Sequence, residues 1–69
     1  MEIKFTLENE YIELNKLLKA TGLCATGGMA KIAVDEGYVK VDDKIEHRKR
    51  CKIRKGQKVE FDDNTVWVK

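Results

Sequence analysis

The sequence predicts an α+β domain: two packed helices followed by a small, mostly antiparallel sheet, which an N-terminal strand joins. Three observations carry this reading. Apolar and polar residues alternate near both chain ends, at Ile3, Phe5 and Leu7 and again at Val66 and Val68, which is the period of a half-buried strand. Between residues 14 and 36 the apolar spacing lengthens twice to that of a helix, and a glycine closes each run. A length of 69 residues leaves room for one domain, residues 1–69, with no repeat, low-complexity tract or linker. A core of this size supplies only about 3–5 kcal/mol of net stability.

A first strand is expected over residues 3–7, with Lys4 and Thr6 opposite the apolar side. The following E-N-E-Y breaks the alternation. From Glu13 onward, Leu14, Leu17, Leu18 and Thr21 fall at i, i+3, i+4 and i+7 on one helical face, which Gly22 ends as a left-handed cap. Thr26 is the N-cap of a second helix with Met29, Ala30, Ile32, Ala33 and Val34 as its buried face and Gly37 as its stop. Gly27 and Gly28 strip side chains from the first turn of that helix. Its bare N–H groups there suit either a phosphate or a close approach to the first helix.

Beyond Gly37 the period returns to two. Val39 and Val41 face one way and Tyr38, Lys40 and Asp42 the other, and Asp42-Asp43 turns the chain toward Lys44 and Ile45. Arg54 to Gln57 reads as a turn, Val59 and Phe61 as a strand, Asp62 to Asn64 as another turn, and Val66 and Val68 as the closing strand. Tyr38 is expected to cover the small core, and Tyr11 and Trp67 to pack.

Charge is distributed very unevenly. The stretch from Lys44 to Lys58 holds eight of the fourteen basic residues and one acid, Glu46. It therefore carries a formal charge of +7 and leaves −5 on the rest of a chain whose net charge is +2. Such asymmetry suits a polyanion-binding surface on an otherwise repelling body, and the bland alternative is a solvated face. Only Ile45, Cys51 and Ile53 are apolar there, so the stretch is expected to be an irregular loop or short strand pinned at those points. Alternation along it would place Arg48, Arg50 and Lys52 on one side, with Lys49, Cys51 and Ile53 on the other.

Composition argues against an enzyme and gives no sign of a cofactor. There is no serine, one histidine, and no paired Cys/His or G-x-G-x-x-G arrangement. Cys24 and Cys51 form no C-x-x-C pair and are expected to be reduced thiols rather than metal ligands. The first residues include no apolar signal segment, and no run is long enough to span a bilayer. A cytoplasmic chain, monomeric by default, with no membrane or small-molecule partner, is the expectation.

Three segments together, L-N-K-L-L at 14–18, T-G-G-M-A-K-I-A-V-D-E-G-Y-V-K-V-D-D at 26–43 and K-G-Q-K-V-E-F at 55–61, resemble the S4 RNA-binding domain. That module, named for a small-subunit ribosomal protein, is also appended to bacterial tyrosyl-tRNA synthetases and pseudouridine synthases. The resemblance covers most of the chain, without a catalytic domain, as in short stand-alone bacterial members. It implies RNA contacts at Glu13 and Lys16, at Thr26, Gly27 and Lys31, and in the basic stretch around Arg48, Lys49 and Arg50. Glu13 and Gly27 stand where the family commonly has arginine, and Asp42-Asp43 where it has Asn-Gly, which shifts weight to the basic stretch.

On this reading Arg48 and Arg50 are the specific contacts, through bidentate phosphate bonds or stacking, while Lys49, Lys52 and Lys55 tune affinity. Lys40, on the outward side of its strand, joins them. The expected partners are structured RNA, ribosomal or transfer, and the ribosome or a ribosomal precursor; structured RNA is preferred because the aromatic-rich sheet of single-strand readers is missing. Two rival readings remain: a protein-interaction module docking its basic loop on an acidic partner, and a DNA-binding protein.

Overall fold

Alternation at the N-terminus produces strand β1 (Glu2–Phe5), with Ile3 and Phe5 packed against the core and Glu2 and Lys4 in solvent. In the computed structural model, which describes residues 1–69, there follow β2 (Ile12–Glu13), α1 (Leu14–Ala20), α2 (Gly27–Asp35), β3 (Val39–Val41), β4 (Lys44–Ile45), β5 (Lys52–Ile53), β6 (Lys58–Phe61) and β7 (Asn64–Val68). Five strands form one sheet in the order β1-β7-β6-β3-β4. Every neighbouring pair is antiparallel except β1 with β7, whose parallel register runs from Glu2 opposite Thr65 to Phe5 opposite Val68. The α+β class and the inclusion of both chain ends in the sheet agree with the sequence. A second ladder, β2 with β5, was not foreseen, because two residues per strand leave no periodic signal.

Leu14, Leu17 and Leu18 are fully buried and meet Val34, Val39, Ile53, Val59 and Val66 in the core between helices and sheet. After α1 the chain turns through Gly22 at φ +79°, whose N–H donates to the Lys19 carbonyl at 3.1 Å. Thr26 caps α2 as expected: its hydroxyl accepts from the Met29 N–H at 3.1 Å. At the other end the Gly37 N–H donates to Val34 O and the Tyr38 N–H to Ala33 O, the paired bonds of a Schellman stop.

The buried stripe of α2 is narrower than the sequence suggested. Ala30, Ala33 and Val34 are buried, but Met29 and Ile32 are 54% and 63% exposed. Each sits one residue, roughly 100°, away from that stripe, and a nine-residue helix meets its neighbours along one line only. Tyr38 is likewise exposed rather than covering the core. Ile45, expected as a pin, is exposed as well, since its cross-strand partner is Lys40 on the solvent face of β3.

Both hairpins turn on two aspartates in the left-handed region: Asp42 and Asp43 at φ 50° and 71°, and Asp62 and Asp63 at φ 51° and 64°. Two successive positive φ values define the hairpin turn whose twist matches the strands, and glycine is favoured at its second position. The first turn is braced. The Asp42 carboxylate accepts from Gln57 Nε2 and the Lys58 N–H, both at 3.0 Å, while Gln57 Oε1 accepts from the Arg54 N–H at 2.7 Å. Those bonds hold the Asp42 carboxyl below its usual range and tie the 54–57 turn to the β3–β4 hairpin.

The second turn has no such side-chain brace on Asp63, whose carbonyl accepts from the N-terminal ammonium at 3.0 Å. Replacing Asp63 by glycine removes the left-handed strain and keeps that backbone bond. It should stabilise the fold by about 0.5 kcal/mol, raising Tm by about 2–4 °C in a circular-dichroism melt, net of the entropy that glycine adds to the unfolded chain.

Candidate nucleic-acid interface

The basic stretch is built as a strand end, a turn and another strand start. The Glu46 N–H donates to Val39 O at 3.0 Å, which ends the β4 side, and the Cys51 N–H donates to Arg48 O at 3.0 Å, which folds residues 48–51 into a turn. β5 then pairs with β2, placing Ile12 opposite Ile53 and Glu13 opposite Lys52. Ile53 is fully buried and Cys51 half-buried, so these two pin the segment.

Backbone carbonyls fasten the turn to α1. Leu14 N–H donates to Cys51 O at 2.9 Å and Asn15 N–H to Lys49 O at 3.0 Å. The Glu13 side chain makes no capping bond, so the basic segment satisfies orphan donors that a helix start otherwise leaves open. With the carbonyls of Lys49 and Cys51 directed at α1, the side chains of Arg48, Lys49, Arg50 and Lys52 are left exposed.

A second anchor reaches α2. His47 Nδ1 lies 3.3 Å from the Asp35 carbonyl oxygen. The ring packs over Gly37, where a Cβ would stand 3.2 Å from His47 Cε1 on a backbone at φ +81°. Glycine is therefore required there twice, by the left-handed turn and by the imidazole. Between α2 and the turn opens a groove of about 670 Å³, lined by Lys31, Asp35, His47, Arg48, Lys49, Arg50, Cys51 and Lys52.

One cation of the groove is held rigidly. Glu46 Oε2 accepts from Arg48 Nε at 3.0 Å and Oε1 from Nη2 at 3.1 Å, while Oε2 also takes the Arg48 backbone N–H at 3.0 Å. Bonds from the Arg48 side chain first, then from its backbone, draw the Glu46 carboxyl from its ordinary 4.5 down to about 2. Burial and the nearby Glu46 carboxylate push the Cys51 thiol up. Cys24 is buried and Cys51 half-buried, both as free thiols. No group of three His, Cys, Asp or Glu side chains is placed to hold a metal ion, and no helix is long and apolar enough to cross a membrane.

Of the residues singled out in the sequence, Lys31, Arg48, Lys49, Arg50 and Lys52 come together in the groove. Strict alternation along the segment does not survive the turn at 48–51, which brings Lys49 to the same groove as its neighbours. Lys16 lies elsewhere, 3.6 Å from Glu13 on the exposed side of α1. Thr26 and Gly27 begin α2 outside the groove, with the Thr26 hydroxyl engaged by the helix itself. Lys40 stands on the outer sheet face opposite Glu60, beside Tyr38. Sequence reasoning missed the contributions of Glu46, Asp35 and His47. It also left Tyr11 as packing, whereas the ring is partly exposed, with Lys52 Nζ 4.9 Å and Arg54 Cζ 5.7 Å from its centroid. That Glu46 is the only acid of the stretch was visible; that it meets Arg48 depends on the bend between them.

The model of the S4 domain family matches residues 5–69. This chain belongs to the S4 domain family. YbcJ of Escherichia coli K12 and YbcJ of Shigella flexneri are each 49% identical to it over 61 residues, covering 88% of this chain and 87% of theirs. The solution structure of Escherichia coli YbcJ superposes with a TM-score of 0.73 and 48% identity, covering 94% of this chain and 84% of that one. That structure is described as revealing an ALFAL motif involved in RNA binding. In this S4 domain the two helices and the strands after them are packed so that Lys31 of the second helix faces the basic turn, far apart in sequence but sharing one groove.

The Glu46 chelate makes a pH prediction for this S4 domain. Its folded pKa lies below the unfolded one, so its contribution to stability is complete above about 4.5 and is lost as pH falls through about 2. A carboxyl-detected NMR titration should place Glu46 near 2, and Arg48→Ala should return it toward 4.5.

Proposed function

We infer that this chain is a non-catalytic RNA-binding protein that takes the phosphate backbone of structured RNA, ribosomal or transfer RNA, into the groove between α2 and the basic turn. The observation that carries the reading is the groove itself: five lysine and arginine side chains from two elements around one aspartate. Membership of the S4 domain family and the RNA-binding motif described for YbcJ support the choice of RNA over other polyanions. The groove offers no nucleophile–base pair: its one histidine is turned to a backbone carbonyl and its one thiol is held protonated by burial.

Binding of this kind is mainly counterion release, with arginine adding geometry. Lys49, Arg50 and Lys52 are exposed, and none makes an ion pair with an acidic side chain. They are the phosphate contacts of this reading, with Lys31 closing the opposite wall. Ribosome-associated RNA is the expected source, and the protein acts as a monomer on it.

The test is a salt series of binding to ribosomal RNA, transfer RNA and duplex DNA of matched sequence. It compares the unmodified protein with the Lys49→Ala, Arg50→Ala, Lys52→Ala triple variant. RNA binding should weaken steeply with salt, and the triple variant should lower the slope of log K against log salt by about 2–3. Equal, feeble binding of both proteins to every nucleic acid overturns the reading in favour of an acidic protein partner. Tighter binding to DNA than to RNA overturns the choice of RNA.

A further inference from the structure

An acid inside a segment of charge +7 that meets a polyanion is, on charge alone, a handicap: it repels phosphate and neutralises a neighbouring cation. Glu46 is the only one there. It does not dangle as a solvated counter-charge, because its side chain is only 18% exposed while that of Arg48 is 77% exposed. Three hydrogen bonds from Arg48 converge on it.

We propose that Glu46 is a positioning residue of the nucleic-acid surface, fixing the Arg48 guanidinium so that its flat faces and free Nη1 edge meet RNA in one orientation. The inference rests on the RNA-binding reading above. The geometry divides the guanidinium in two. Nε and Nη2 are spent on the carboxylate, and Nη2 also lies 3.8 Å from Cys51 Sγ. Nη1 makes no hydrogen bond, and Arg48 lines the groove. A guanidinium so held forgoes a bidentate grip on phosphate through its Nε edge. It suits stacking on an exposed base or ribose and a single directed hydrogen bond, with less side-chain freedom to lose on binding. Arg48 is then a shape contact, in contrast to Lys49 and Arg50 beside it, which are exposed and make no ion pair.

Two effects of opposite sign can be separated in one cycle. The probe is a fluorescein-labelled RNA hairpin with a stem of about 16 base pairs and an unpaired loop, read by anisotropy at fixed salt. The proteins are the unmodified chain, Glu46→Gln, Arg48→Ala and the double variant, with circular-dichroism melts to confirm that each is folded at the assay temperature. With Arg48 present, Glu46→Gln should weaken binding by about fivefold although it removes a negative charge. In the Arg48→Ala background the same change should strengthen binding by about twofold, because the glutamine oxygen can still accept the residue-48 N–H and the lost charge is the difference left to act. Strengthening or no change in both backgrounds makes Glu46 a plain counter-charge and overturns the proposal. Weakening in both makes it a brace of the turn through the Arg48 N–H alone, and also overturns it. If the unmodified protein fails to bind the hairpin, ribosomal RNA or transfer RNA at low salt, the RNA reading itself falls and this inference with it. Retained salt-dependent binding without the sign reversal sinks only the role given to Glu46.

Discussion

Everything at the charged end of this molecule hangs on two backbone hydrogen bonds, from the first amides of α1 to the carbonyls of Cys51 and Lys49. A helix start needs acceptors for its N–H groups, and here the Glu13 side chain supplies none. A segment crowded with positive side chains needs a reason to stay folded against the body, since mutual repulsion favours its extension. Each requirement answers the other. Because the link runs through main-chain atoms, it leaves every basic side chain of the turn free of structural duty except Arg48. Ile53 and Cys51 add the apolar half of the same attachment.

The second wall of the groove is placed by a different device. Gly37 ends α2 in the left-handed conformation, and the absence of a Cβ there lets the His47 ring settle over the turn and reach the Asp35 carbonyl. Lys31, one turn back along α2 from Asp35, is thereby set across from Lys49 and Arg50. The groove has neither a deep apolar floor nor a metal-ligand cluster. Its character is a fixed arrangement of cations around one carboxylate, which is why the proposed ligand is a phosphate backbone rather than a small molecule.

Much of this was legible in the order of residues. The leucines at 14, 17 and 18, the valines at 39, 59, 66 and 68 and the caps at Thr26 and Gly37 occupy the places their spacing implies, because periodicity and turn chemistry act locally. Three features were not legible, for reasons that are also local. The β2–β5 ladder is too short to have a period. Met29 and Ile32 carry the composition of a core without its position, because composition does not say which side of a short helix finds a neighbour. Charge density pointed to residues 44–58 as a whole. Only the fold separates Arg48, chelated by Glu46, from Arg50, or sends Lys16 and Lys40 to acid-lined surfaces away from the groove.

The parallel pairing of β1 with β7 also governs the order in which the chain can assemble. β7 forms its antiparallel hairpin with β6 through a two-residue turn, a fast and local event, but β1 can dock only on a β7 already in place. Closing the loop from Glu2 to Thr65 costs entropy before it returns contacts, so β1 joins late, and the contact order of the domain is set by its two ends. The helices and the β3–β6 pairing can form earlier, as a nucleus built from the middle of the chain. β1, made before every other strand, thus finds its partner only after the last strand of the sheet is made.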